Sequence, residues 1–288
     1  MFARKFLFAA ACAVGLSAVA ATPAEAHRRW LLPSATVLAG DEETVSVDAA
    51  ASNGLFVFEH RPMGLDDLTI VGPDGQPVDP AIIGTGAYRS VFDVPLKQQG
   101  TYRIAVVFDG MMGFYQLDGE RHRWRGTKAE MATSIPANAT DVRVSENSGR
   151  TETFVTLGAP NETALAPTGV GLEMIPVTHP NDLYAGEPAQ MRFLADGKPA
   201  VGLELEFVEG GTRYRDDPGI RKLTTDANGM VTLHADEPGM YYLEADLTQG
   251  QGGPGGEGAA PAEGNEPRAG EAGNRRMSYT AVLEFLPL

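Results

Sequence analysis

The chain is short of the residues that most often carry chemistry. Among 288 residues there is one cysteine, Cys12, and there are five histidines. Cys12 sits inside an N-terminal apolar run, so a chain processed beyond that run has no thiol. That excludes disulfides, thiolate metal sites and cysteine nucleophiles together. Basic residues are scarce as well: 23 Lys and Arg stand against 38 Asp and Glu, a formal charge of -15. A duplex nucleic-acid binder needs clustered Lys and Arg to displace counterions, so nucleic acid is excluded as a partner. Metal cations or cationic ligands suit the field better. No apolar run reaches the ~18–20 residues of a membrane-spanning helix. Helical periodicity is nearly absent, with one short turn expected over Thr127–Thr133. No serine triad, phosphate loop or paired-carboxylate motif is present, so the chain reads as a non-enzyme.

What is abundant is turn chemistry. The 34 Gly and 20 Pro are too many for a helical bundle and too irregular for collagen, which leaves a loop-rich β architecture. Residues 1–26 read as a cleaved signal peptide: Arg4 and Lys5, an apolar run from Phe6 to Ala20, and Ala24-Glu25-Ala26 as the cleavage site. The chain is therefore expected in the periplasm and outside the membrane once cleaved.

Short runs rich in Val, Phe, Tyr, Ile and Thr recur between turns, at Thr44–Val47, Leu55–Phe58, Leu68–Val71, Ser90–Val94, Thr101–Phe108 and Thr151–Leu157. An internal echo accompanies them. Asp74-Gly75 and Asp196-Gly197 each mark a tight turn, and Gly100-Thr101-Tyr102 and Gly239-Met240-Tyr241 each lead a strand downstream. The expected fold is all-β, with two immunoglobulin-like β-sandwiches in tandem: 27–157, a linker over 158–169, and 170–288. Residues 249–274 contain nine Gly and no aromatic or β-branched side chain. They are expected to form a disordered loop between two paired strands, Met240–Leu247 and Met277–Leu286.

Without thiols, a transition-metal site must draw on histidine and carboxylate. His27 would be the first residue after cleavage at Ala26, where α-amine and imidazole chelate one ion as a histidine brace. Cleavage after Ala24 would put it third, in a square-planar copper or nickel arrangement. Arg28 and Arg29 oppose a bound cation. His60 and Glu59 lie in Glu59-His60-Arg61-Pro62-Met63 and are candidate co-ligands; alternatively Glu59 pairs with Arg61 and Met63 fills core. His179, held extended by Pro180, is either a further ligand or part of a turn. His234 is expected to face solvent. Arg121, Arg123, Trp124 and Arg125 form a basic, aromatic island suited to an anionic ligand or partner through Arg forks and Trp stacking, or else a solvated hairpin.

Trp30-Leu31-Leu32-Pro33-Ser34, the segment Glu59–Met63, Tyr88–Val94, Arg123–Thr127, Pro176–Asp182 and Gly210–Arg215 resemble an exported bacterial family of poorly defined function. Its members are described as a nickel-uptake substrate-specific region and as the periplasmic component of a cobalt transport system. The resemblance covers essentially the mature chain and implies a divalent transition metal, nickel or cobalt with copper as an alternative. It also implies a membrane partner, either an outer-membrane receptor or an inner-membrane metal transporter. It brings no ligand set with it. The second half, through Gly197–Gly202, Thr225–Gly229 and Pro238–Tyr241, resembles the carboxypeptidase-regulatory type of sandwich. Three functions stay open: a metal-binding accessory protein using His27, His60, Glu59 and His179; a non-catalytic envelope module binding a receptor, a glycan or a metal chelate; and a copper histidine-brace enzyme.

Overall fold

The computed structural model describes residues 27–249 and 275–288. The expected signal peptide and, apart from Gln249, the expected Gly-rich loop lie outside the described residues. Eighteen strands are named in chain order. The first nine are β1 Arg28–Pro33, β2 Val37–Leu38, β3 Glu43–Ser52, β4 Arg61–Pro62, β5 Leu68–Val71, β6 Ala81–Thr85, β7 Ser90–Leu96, β8 Gly100–Leu117 and β9 Glu120–Gly126. A helix, α1 Lys128–Ser134, follows, then β10 Thr140–Leu157, β11 Leu172–Pro176, β12 Pro188–Ala195, β13 Lys198–Pro199 and β14 Glu204–Glu209. The last four are β15 Arg221–Thr224, β16 Met230–His234, β17 Gly239–Gln249 and β18 Arg275–Phe285.

The strands form three sheets. One has the order β1-β3-β7-β6 with β4 beside β3, and one is built on β11-β12-β13 with β16 beside β12. Between them runs a nine-stranded sheet, β15-β14-β17-β18-β10-β8-β5, extended by β2 and β9. Its centre explains the architecture. Consecutive residues of a strand point to opposite faces, and on β10 Val155 joins the core of Leu31, Val47, Phe92 and Tyr102, while Phe154 joins the core of Met191, Phe193 and Leu283. Every residue from Thr151 to Leu157 is buried, as required of a strand covered on both faces. The fold is immunoglobulin-like β-sandwich throughout, and its two sandwiches share the middle layer. A third cluster, Trp30, Leu55, Val208, Tyr242 and Val282, packs the N-terminal strand against the C-terminal half.

Both halves turn the same corner. Gly75 and Gly197 take φ of +79° and +74° after their aspartates, conformations that cost a Cβ-bearing residue energy. Tyr102 donates its hydroxyl to the Gln98 carbonyl at 3.0 Å, and Tyr241 donates to Glu237 at 2.8 Å. Each is the tyrosine corner of a sandwich.

Two elements depart from expectation. Leu55–Phe58 is not a strand: the Asn53-Gly54 turn ends β3, Phe56 takes φ +58°, and the apolar run buries itself from a loop, with Phe56 edge-on to Trp30 at 5.8 Å. The segment 158–169, expected to be a linker, is fastened down. Ala164 and Leu165 are buried, and Asn161 bonds the Thr101 amide and the Pro73 carbonyl. The expected helical turn is α1, begun by a capping box between Thr127 and Glu130. β17 and β18 pair antiparallel from Gly239–Phe285 to Gln249–Arg275, so the Gly-rich stretch joins two hydrogen-bonded neighbours.

Candidate functional site

Sheet register brings His27 and His60 together. Arg28 pairs with Ser52 across β1 and β3, and Arg61 pairs with Ala51 across β4 and β3. His27 and His60 therefore flank the end of β3, two strand spacings or about 10 Å apart in backbone terms. Their rings close that gap and stack, with centroids 3.7 Å apart and planes inclined by 13°. Glu59 sets the approach. Its Oε1 accepts from the Ser52 hydroxyl at 3.3 Å and the Gly54 amide at 3.1 Å, closing the loop that carries His60. Glu59 thus braces that loop through Oε1, and it makes no ion pair with Arg61 among the described residues. Met63 is buried in the N-terminal core, the space-filling alternative.

The electrostatics are more permissive than the sequence implies. Arg28 is neutralised by Glu206 at 3.0 Å and Glu244 at 3.7 Å, partners 178 and 216 positions away that no local pattern reveals. Burial, then the neighbouring Asp246, pushes the Glu244 carboxyl up to about 7. Desolvation, then the charges of His27 and Arg61, holds the His60 imidazole below its usual value, which favours the neutral ring a metal requires.

Two imidazoles bound at about 2.05 Å to one tetrahedral ion have ligating nitrogens about 3.3 Å apart. The stacked rings, 3.7 Å apart, are near that spacing, but a shared ion must lie in both ring planes, so planes inclined by only 13° have to swing apart by tens of degrees to bind it. Among the described residues, however, no three His, Cys, Asp or Glu side chains form a group able to hold a metal ion. The pair supplies two donors. A third must be backbone or solvent, and the α-amine of His27 is the one that cleavage at Ala26 would create.

His179 does not join them. Its Nδ1 accepts from the Asn181 amide at 3.2 Å, which makes Nε2 the protonated nitrogen, within 3.3 Å of the Asn161 carbonyl and 3.0 Å of the Thr101 hydroxyl. Burial pulls its pKa down. The Thr156 end of β10, where this network sits, is seven residues from Gly149, beside which Arg29 lies; that is about 23 Å of strand. Asp182 donates its amide to the His179 carbonyl, so the segment is a turn. His234 is exposed, as expected.

The basic island is largely self-satisfied. Arg121, Arg123 and Arg125 share one face of β9, whereas Trp124 lies on the other and is buried, so it offers no ring for ligand stacking. Arg121 sits 3.8 Å over Phe114, and Arg125 lies 4.0 Å over Phe108 and is ion-paired with Asp67. His122 stacks on Tyr115.

A cavity of about 190 Å³ opens beside the histidine pair, between β1, β4 and the paired strands β8 and β10, and its lining includes Arg29, Arg61, Met63 and Phe108. The sequence gives no sign of it, because its walls come from five separated segments.

The family model for a domain of unknown function, DUF4198, matches residues 24–249. The chain belongs to that family. DUF4198 carries no activity in its description, so membership leaves the chemistry to the residues. No curated protein matches the sequence. Among solved structures, the D0-D1 domain of Intimin aligns at 10% identity over 89% of this chain and 97% of that one, with a TM-score of 0.20. The D00-D0 domain of Intimin aligns at 9% identity over 90% and 100%, also at 0.20. A marsupial T cell receptor aligns at 12% identity over 91% and 74%, at 0.19. At these scores the alignments carry no argument about this DUF4198 chain. No helix among the described residues is long and apolar enough to cross a membrane.

Proposed function

We propose that the chain is a non-catalytic, periplasmic metal-binding accessory protein for nickel, cobalt or copper, with His27 and His60 as its side-chain ligands. The observation that carries this reading is the stacked pair, two imidazoles 33 positions apart held 3.7 Å from centroid to centroid. Glu206 and Glu244 offset the charge of Arg28, one of the two arginines that oppose a cation at His27. The α-amine of His27 completes a three-nitrogen set after cleavage at Ala26. The resemblance to exported nickel- and cobalt-uptake proteins points the same way, with a membrane receptor or transporter as the partner that takes the ion.

The test is calorimetric titration of nickel, cobalt, copper and zinc into three proteins: one beginning at His27, one retaining Ala26, and H60A beginning at His27. Binding by the first at micromolar metal, weakened at least tenfold in each of the others, is the expected result. Equal binding by all three removes the proposal. A second reading, an interaction module at the envelope, is favoured by β6. This sheet-edge strand exposes Ile82 and Ile83 at 56% and 63%, a template for strand addition by a partner. Receptor capture unaffected by H27A and H60A but lost on I82K would select it.

A further inference from the structure

We infer that the cavity beside the histidine pair is a binding site for a small organic dicarboxylate or tricarboxylate, gripped by Arg29 and Arg61. This goes beyond the metal reading and stands without it. Arg29 on β1 and Arg61 on β4 pair with the same residue, Ala51 of β3. All three side chains project from one face of the sheet, the face that carries Leu31, Ala49 and Met63 into the N-terminal core. Both arginines are exposed at the rim of that face, so two guanidiniums stand at the mouth of the cavity with only the buried methyl of Ala51 between them.

Neither has a carboxylate partner among the described residues. Arg29 makes one hydrogen bond, to the neutral Ser278 hydroxyl at 3.1 Å, and Glu244 and Asp246 feel its charge from beyond ion-pair distance. Arg61 has no ion pair or hydrogen bond among those residues, and the one acid lining the cavity, Asp67, is taken by Arg125. In a chain of net charge -15, with acids available in excess, two arginines that line one cavity without a carboxylate between them leave room there for an anion.

The rest of the lining defines that anion. Met63, Val106 and Phe108 supply an apolar wall, and Gly149 and Thr151 lie on the opposing sheet. A volume of about 190 Å³ holds about six waters at about 30 Å³ each, below the ~300 Å³ at which drug-sized pockets begin. Each guanidinium fork matches one carboxylate bidentately. Two forks on either side of Ala51 match two carboxylates on a short carbon body, which the apolar wall covers.

The experiment is calorimetric titration of citrate, and separately of inorganic phosphate, into metal-free protein at low ionic strength. R29Q and R61Q are run in parallel, and their melting temperatures report the fold. The expected result is citrate binding at least tenfold tighter than phosphate, weakened at least tenfold by each substitution in proteins that still melt cooperatively. No heat from millimolar citrate, or citrate binding equal in wild type and R61Q, overturns the site. Phosphate binding as tightly as citrate overturns the carboxylate assignment. Because no metal is present, failure of the nickel, cobalt and copper titrations is a separate outcome.

Discussion

Replacing Glu244 by Gln tests the charge cluster that supports the start of β1. The Glu244 carboxyl is raised from 4.5 to about 7, first by burial and then by Asp246, with Arg28 opposing. A raised carboxylate means the folded protein holds a proton that the unfolded chain has released. Stability therefore falls as pH rises from about 4.5 to about 7, and the penalty is complete above that. At about 1.4 kcal/mol per unit, the shift is worth about 3 kcal/mol. Gln keeps the shape and removes the charge, while Arg28 keeps Glu206 at 3.0 Å. E244Q should match wild type near pH 4.5 and melt higher at pH 8. For a chain of this size the gain is about 6–12 °C. The lowered His60 and His179 values give the opposite slope near neutrality, but they occur in both proteins and cancel in the difference. Differential scanning calorimetry from pH 4.5 to 8 is the assay. Parallel curves for the two proteins would refute the reasoning.

Other predictions address the shared sheet and its hairpin. Arg150 is 6% exposed and bridges Glu152 and Glu173 at 3.4 Å each, with the Tyr279 hydroxyl on Glu152 at 2.6 Å. R150A should cost about 3–5 kcal/mol by stranding buried acids, read as a shift in the urea midpoint. At Gly113 a Cβ would lie 1.9 Å from the Arg143 carbonyl oxygen, so G113A should cost about 1–3 kcal/mol and speed amide exchange in β9 and the first half of β10. Y102F and Y241F should each lose about 1 kcal/mol in chemical denaturation, and equal losses would agree with equivalent corners in the two halves.

Much of the fold was legible because β patterning and turn chemistry are local. Asp74-Gly75, Asp196-Gly197 and the two Gly-x-Tyr corners each announce their geometry within a few residues. The shared middle sheet was not legible. β10 pairs in parallel with β18 from Glu146–Arg275 onward, a contact more than 120 positions long that mimics an ordinary amphipathic strand. Its double burial is written in Thr151, Thr153 and Thr156, which satisfy their hydroxyls against Thr280, Val282 and Asn181 and so pass for surface residues in sequence. At the site, the chemistry of His27 and His60 was readable, since scarcity singles histidine out. Glu59 and His179 carry the same chemistry and are engaged in hydrogen bonds, His179 with Thr101 78 positions away, which spacing does not reveal. Arg29 and Arg61 were missed because only register across Ala51 makes them neighbours.

The central claim, that His27 and His60 act as one nitrogen site, is tested most directly by long-range ¹H–¹⁵N NMR of the histidine rings. The sample is the chain beginning at His27, given substoichiometric paramagnetic copper(II). All five rings are present, at 27, 60, 122, 179 and 234. The account predicts that the rings of His27 and His60 broaden together at the first additions while the other three stay sharp. Uniform broadening of all five, or loss of His179 before the pair, would contradict it.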